Sequence, residues 1–209
     1  MELAELEPKL IAFCRAMYAD PAAEITALDK GPGHPGFSYL FTVRSAGKEE
    51  SWFMRLPPPN VRLVGTADVL RQVAALNALD GTSVPHCTVK WSGDDPQWFG
   101  CPYFIVPKLE GSVMAFADNP WLDRLDREQR WGMARQAMTA LAGIHRVDWR
   151  RAAYLGEPMP FDDDVVRWDR FMPKVADPER LRAVPEVRQL LLDRIPGESN
   201  VCGWVRYPE

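Results

Sequence analysis

The sequence predicts an α+β protein in which a β-rich lobe is followed by a helical one. Two observations predict it. Between residues 24 and 110, β-branched and aromatic runs alternate with turn residues around one amphipathic helix. After Gly111 the apolar residues recur only at helical spacing. With an N-terminal helix in front, the order reads helix, β, β, β, helix, β, β, then helices alone. The expected sheet is antiparallel and five-stranded, with the Ser45-Ala46-Gly47-Lys48 hairpin joining its second and third strands. The expected boundaries are residues 1–110 for the β-rich lobe and 111–209 for an incomplete helical one, joined at Val106-Pro107-Lys108-Leu109-Glu110-Gly111.

Each element follows from local chemistry. Leu3, Leu6, Leu10, Phe13, Cys14 and Met17 are spaced three and four apart, which predicts a helix ended by Asp20-Pro21. From Ile25 the pattern becomes β. Tyr39-Leu40-Phe41-Thr42-Val43 and Ser51-Trp52-Phe53-Met54-Arg55-Leu56 flank Ser45-Ala46-Gly47-Lys48, a good hairpin connection. Thr66 or Asp68 caps a helix carrying Val69, Leu70, Val73, Leu76 and Leu79, ending near Gly81. Two more strands, at about Cys87 to Trp91 and Tyr103 to Lys108, bracket the turn residues Gly93-Asp94-Asp95-Pro96. In the second half, Asp126 and Gln129 form a capping box before a long helix with Trp131, Ala134, Met138, Leu141, Ala142 and His145 on one face. Asp162-Asp163-Asp164 precedes a short helix containing Val165, Trp168 and Phe171, and a last helix runs from about Pro185 to Ile195.

Composition excludes several functions. With 209 residues, 46% of them hydrophobic, the chain can bury a real core. A net charge of −4, with bases scattered among acids, gives no field for nucleic acid or an anionic membrane. Eight tryptophans could stack on bases, but without basic interleaving they do not make a single-strand binder, and Trp131 and Trp168 at helical spacing predict core positions. Met1-Glu2-Leu3-Ala4-Glu5-Leu6-Glu7 has no basic n-region, and no apolar run reaches the ~18 residues of a membrane span. Cys14, Cys87, Cys101 and Cys202 have no metal-binding spacing, which predicts buried thiols in a reducing cytoplasm.

The chemistry begins at Lys30-Gly31-Pro32-Gly33-His34-Pro35-Gly36-Phe37-Ser38, a glycine-rich turn ahead of a strand. Glycines let a backbone approach phosphate closely, although such a turn taken alone is more often a plain hairpin loop. It matches neither the dinucleotide fingerprint nor the P-loop, because no Gly-Lys-Ser/Thr follows and the next element is a strand. The turn gains meaning from its sequel. A second strand ends in Arg55, Arg71-Gln72 stands on the next helix, and Tyr103-Phe104-Ile105-Val106-Pro107-Lys108-Leu109-Glu110-Gly111 forms a strand with a hinge.

This series resembles the aminoglycoside phosphotransferase and choline kinase superfamily, especially the kinase-like domains that also occur fused to acyl-CoA dehydrogenases. The matching stretches are Gly33 to Phe41, Trp52 to Pro58, Ala67 to Gln72, Tyr103 to Gly111 and Leu141 to Trp149, in family order over roughly residues 24 to 205. The resemblance implies a protein-kinase-like bilobal fold, ATP or GTP with Mg²⁺, and phosphoryl transfer to a small-molecule hydroxyl. Carried onto this chain, it implies Gly33, His34, Gly36 and Ser38 over the phosphates and Arg55 as their clamp. It also implies Gln72 at the place of that cation's acidic partner, and Val106, Lys108 and Leu109 beside the base.

The departures are specific. The family has a His-Gly-Asp motif whose Asp serves the acceptor hydroxyl, an Asn five residues later, and a second Asp for magnesium. Here His34, His86 and His145 are the only histidines, and none has Asp two residues on. Val201-Cys202-Gly203-Trp204-Val205 reads as the approach strand, and Arg206-Tyr207-Pro208 then stands where His-Gly-Asp is expected. His145-Arg146-Val147-Asp148 imitates a catalytic loop, but its Asp is one residue late. The plainer reading is a packed helix histidine at His145 and a surface or capping acid at Asp148. The resemblance therefore implies no catalytic residue and no metal ligand in this chain, read as C-terminally truncated and inactive in transfer. The alternatives are a nucleotide- or partner-holding module without turnover, and a truncated product with exposed apolar helices that homodimerises.

Overall fold

The computed structural model describes residues 1–31, 37–111 and 120–195. Its centre is a five-stranded antiparallel sheet in the order β1-β2-β3-β5-β4, with strands β1 (Glu24–Lys30), β2 (Ser38–Ser45), β3 (Lys48–Arg55), β4 (Trp91–Gly93) and β5 (Tyr103–Pro107). The β2–β3 hairpin turns at Ala46 and Gly47 with φ of 48° and 75°, the positive pair that matches the twist of a two-residue connection.

One face of the sheet packs on helix α1 (Leu3–Tyr18), whose Leu6, Leu10, Phe13 and Cys14 are fully buried against Tyr39, Phe41, Val43, Trp52, Met54 and Ile105. Phe13 meets Trp91, Trp98 and Tyr103 edge-on with centroids 5.3–5.8 Å apart, contacts worth ~0.5–1.5 kcal/mol each beyond their buried area. The indole N–H of Trp52 donates to the Tyr18 hydroxyl at 3.0 Å, and Tyr18 donates in turn to the Glu50 carboxylate. Burial pushes the Cys14 thiol up to about 12, so it packs as a small hydrophobe.

The other face packs on helix α2 (Val69–Ala78), capped by the Asp68 side chain on the Leu70 N–H at 3.0 Å. Val69 and Val73 close over Phe104 and Val106. The opposite flank of α2 joins Ala78, Leu79 and Val84 to Val147, Ala152 and Leu155, and Arg71 donates to the Leu155 carbonyl.

Several expectations are corrected. The fourth strand is Trp91–Gly93 and not Cys87 to Trp91: Cys87 and Val89 turn into the α2-side core, and only the Lys90 N–H reaches β5, at the Ile105 carbonyl. Asp95 and Pro96 are no simple turn but the cap and first residue of helix α3 (Pro96–Phe99). After α4 (Pro120–Asp123) and α5 (Arg127–His145), the three aspartates lie inside the first turn of α6 (Phe161–Val166), where the helix dipole favours them. Trp168 and Phe171 sit beyond α6 in a 3-10 segment, Arg167–Lys174, that contains Pro173 and leads towards α7 (Val184–Asp193).

The helical part has little core. Trp131 and Trp168, expected inside, are 59% and 52% exposed, and Met138 and Leu141 are exposed with them. His145 is exposed rather than packed. The Asp126–Gln129 capping box is formed, and Asp148 caps Arg150 as expected. Among the described residues no helix is long and apolar enough to cross a membrane.

Candidate nucleotide cleft

The α2-side face of the sheet carries the candidate site, and strand alternation decides which residues line it. In the ladder Ser38 opposes Arg55 and Arg55 opposes Phe104; two residues along, Leu40 opposes Phe53 and Phe53 opposes Val106. Side chains two apart share a face, so these form two adjacent rows on one surface. The apolar row Leu40-Phe53-Val106 floors a cleft of ≈530 Å³, walled by Leu76 of α2, Cys87 and Phe104, and bounded by Pro107 to Gly111. The neighbouring row places Arg55 one ladder step from this floor, at the end of β3 next to Phe37, whose carbonyl accepts the Leu56 N–H; Arg55 itself does not line the cleft.

Arg55 is half-buried, and no ion pair or side-chain hydrogen bond among the described residues holds it. Gln72 does not bond to it. Gln72 lies one helical turn before Leu76 on the flank of α2 that faces the cleft and is half-buried there. Ser38 is the first residue of β2, 6% exposed, and its carbonyl accepts the Gly31 N–H at 2.7 Å to close the base of the glycine-rich turn. Gly33, His34 and Gly36 lie outside the described residues. Val106 is 5% exposed in the floor, whereas Lys108 and Leu109 border the opening and are exposed. Glu110 is exposed and forms no ion pair among the described residues.

The hinge backbone has a definite donor and acceptor pattern. Lys108 N–H donates to the Ser51 carbonyl at 3.0 Å and is committed to the sheet. On the opposite edge of β5, β4 reaches only as far as Ile105, so the Pro107 carbonyl lies beyond the ladder. Proline has no N–H. Leu109 is the next residue with an N–H on that stretch, and none of the described residues takes it. The cleft edge thus offers an acceptor at Pro107 followed by a donor at Leu109.

Of the residues singled out in the sequence, Val106, Lys108 and Leu109 line the cleft and Arg55 lies one ladder row away, whereas Leu40, Phe53, Leu76, Cys87 and Phe104 line it without having been singled out. The period of two would have found Phe53 from Arg55 and Leu40 from Ser38. Cys87 is reached only through the departure of residues 87–90 from the sheet.

The profile of the phosphotransferase enzyme family matches residues 36–202. No curated protein matches the chain. Among solved structures, a candidate aminoglycoside phosphotransferase from Ralstonia eutropha JMP134 superimposes with a TM-score of 0.64 at 18% identity, over 91% of this chain and 54% of that one. The likeness shows a shared fold, and this chain spans about half the length of that relative. With the strand face, the hinge and the helical part all inside one continuous family match, the chain belongs to the phosphotransferase enzyme family.

Proposed function

We propose that this chain holds a nucleoside triphosphate, ATP in preference to GTP, as the nucleotide-binding portion of a small-molecule kinase that transfers a phosphoryl group to a hydroxyl. The observation that supports it best is Arg55: a half-buried cation without a partner among the described residues, one ladder row from an apolar cleft. The base lies on Leu40, Phe53 and Val106, and the phosphates lead towards Arg55 and the turn that contains Gly33, His34 and Gly36. Ser38 anchors that turn. Gln72, neutral where an acid would pair with the cation, leaves Arg55 free to turn to phosphate.

Adenine fits the hinge better than guanine. Its exocyclic amine donates and its neighbouring ring nitrogen accepts, which complements the Pro107 carbonyl followed by the Leu109 N–H. Guanine offers an acceptor and then a donor, and its carbonyl oxygen would meet the Pro107 oxygen. An unpaired polar edge in a dry cleft costs ~1–3 kcal/mol.

Two parts carry this function: residues 1–110 as the nucleotide lobe and 111–209 as a helical part on the acceptor side. Mg²⁺ accompanies ATP in this family's chemistry, but among the described residues no group of three or more His, Cys, Asp or Glu is placed to hold a metal ion, so no step is assigned to one. No residue is assigned as catalytic base. A second reading, homodimerisation through the helical part, is favoured by the exposed Trp131, Met138 and Leu141.

Calorimetric titration with ATP and GTP tests the reading. The expected result is saturable binding with ATP at least about tenfold tighter, the value of ~1.4 kcal/mol. A folded sample that binds neither sinks the proposal, and equal affinities sink the hinge assignment.

A further inference from the structure

The loop between α2 and β4 joins the sheet lobe to the helices, and its construction is unusually tight. Val84, 5% exposed, is wedged among Ala78, Leu79, Val147, Ala152 and Leu155. It lies so near α5 that a Cβ at Gly143 would stand 2.7 Å from its Cγ2. The Asp80 main-chain carbonyl accepts a hydrogen bond from Arg151 of the 3-10 segment Trp149–Leu155. The Thr82 hydroxyl donates to the Leu79 carbonyl at 2.6 Å and accepts the Val84 N–H at 3.2 Å.

His86 sits at the centre of this loop with both ring nitrogens on acceptors. Nδ1 is 2.8 Å from the Val84 carbonyl, and Nε2 is 2.9 Å from the Asp80 carboxylate. Neither acceptor can donate, so both contacts are satisfied only when the ring carries two protons. A neutral ring sets a lone pair against one of the two oxygens. The ring must then give up its hydrogen bond either to the carbonyl of Val84, whose side chain packs on α5 and the 3-10 segment, or to the carboxylate of Asp80, whose main-chain carbonyl receives Arg151.

We propose that His86 is a pH-sensitive latch on the junction between the nucleotide lobe and the helical part, closed when the imidazole is protonated and loosened when it is neutral. Among the described residues, few charged groups bear on the ring. Asp80 at the end of α2 supplies the carboxylate, and Arg151 from the 3-10 segment is the nearby cation, spent on the Asp80 main-chain carbonyl. Thr82 and Val84 of its own loop are uncharged, as are Gly143 and Ile144, the α5 residues packed on this junction. The Val84 carbonyl and then Asp80 raise the His86 pKa above the ordinary histidine value. A raised folded-state value means that the stabilisation is fully present below the unfolded pKa. It is lost as pH rises through the higher folded one.

Two measurements on the whole chain test the latch. Amide hydrogen exchange, corrected for the intrinsic rate, follows residues 147–155 across pH, while ring-proton NMR follows the His86 titration. In the wild type, protection of that segment is expected to fall roughly threefold or more as His86 deprotonates, within the tenfold allowed per pKa unit. In His86→Gln the protection becomes independent of pH over that range, and in Asp80→Asn the His86 titration moves down. Protection that stays flat in the wild type overturns the latch, and so does a slope unchanged in His86→Gln. A His86 resonance that titrates no higher than an ordinary histidine overturns it without any variant.

Discussion

Ser38 and Arg55 oppose one another across the β2–β3 ladder, two residues from the Leu40–Phe53 pair that floors the cleft. The pairing ties the strand that leaves the glycine-rich turn to the strand that carries the cation. It fixes the Arg55 backbone relative to the apolar floor by backbone hydrogen bonds, and the guanidinium reaches out from there on its own stem. Reversing that charge should therefore weaken nucleotide binding without unfolding the sheet. Arg55→Glu is expected to lower ATP affinity at least about tenfold, since hydrogen bonds to a charged partner contribute ~1.5–3 kcal/mol. The far-ultraviolet spectrum should not change. Unaltered affinity in calorimetry would remove Arg55 from the site.

Gly143 and Gly132 occupy the same helix and should respond oppositely to alanine. A Cβ at Gly132 meets nothing within 4 Å, so Gly132→Ala gains helix propensity and should stabilise the protein by about 0.5–1 kcal/mol in denaturant unfolding. A Cβ at Gly143 meets Val84 Cγ2 at 2.7 Å, the tip of a short, branched and buried side chain. Overpacking of ~1–3 kcal/mol should outweigh the propensity gain. Adding Val84→Ala should relieve part of that loss, and a double-mutant cycle measures how much.

The exposed face of α5 predicts association. Trp131, Met138 and Leu141, with the exposed Ala134 and Ala142 beside them, form an apolar stripe open to solvent. The wild type should bind an apolar dye and sediment with a concentration-dependent mass. Met138→Glu combined with Leu141→Glu should reduce both, because these side chains lack burial to lose. A monodisperse, dye-free wild type would contradict this expectation.

Asp20 predicts the acid limb of stability. Its carboxylate accepts from the Ser45 hydroxyl at 2.7 Å, the Ala22 N–H at 2.9 Å and the Ala46 N–H at 3.2 Å, tying the end of α1 to the β2–β3 turn. The Ser45 bond, followed by that from Ala22, holds its pKa below the usual aspartate value. A depressed folded-state value contributes stability that is present above the unfolded pKa and fades as pH falls through the folded one. Asp20→Asn should therefore lower stability at neutral pH and narrow its difference from the wild type in acid. A difference that persists unchanged at low pH would assign the loss to packing instead.

Thiol chemistry offers a further check on the core. Cys14 is fully buried and its thiol is pushed up to about 12, while Cys87 and Cys101 are half-buried and free. In the native protein, mass-resolved labelling at pH 8 should modify Cys87 and Cys101 well before Cys14. If ATP occupies the cleft, it should slow Cys87, which lines it, and leave Cys101 unaffected.

Much of the fold was legible because its signals are local. The Ser45 to Lys48 hairpin, the Asp68 cap and the Asp126–Gln129 box each rest on residues within a few positions, where backbone geometry and short hydrogen bonds dominate. Alternation in β2 and β3 assigned Arg55 to a strand end. The errors occur where longer contacts compete. Residues 87–90 have strand composition, yet Cys87 and Val89 gain more by burying against α2 than by pairing with β5. Trp131 has the spacing of a core residue, but spacing names a face and not what covers it.

The sequence by itself determined most of the order of elements, the Asp68 and Asp126 caps and the faces of β2 and β3, because periodicity and turn chemistry act over a few residues, and its ordered motifs carry the match to the phosphotransferase enzyme family. Only the tertiary structure decided that Leu40, Phe53, Leu76, Cys87, Phe104 and Val106 meet in one cleft. It alone showed that the Lys108 amide is spent on Ser51, that His86 bridges Asp80 and Val84, and that the α5 stripe lies open. Register and packing bring together residues far apart in the chain, and those contacts leave no short-range mark on composition.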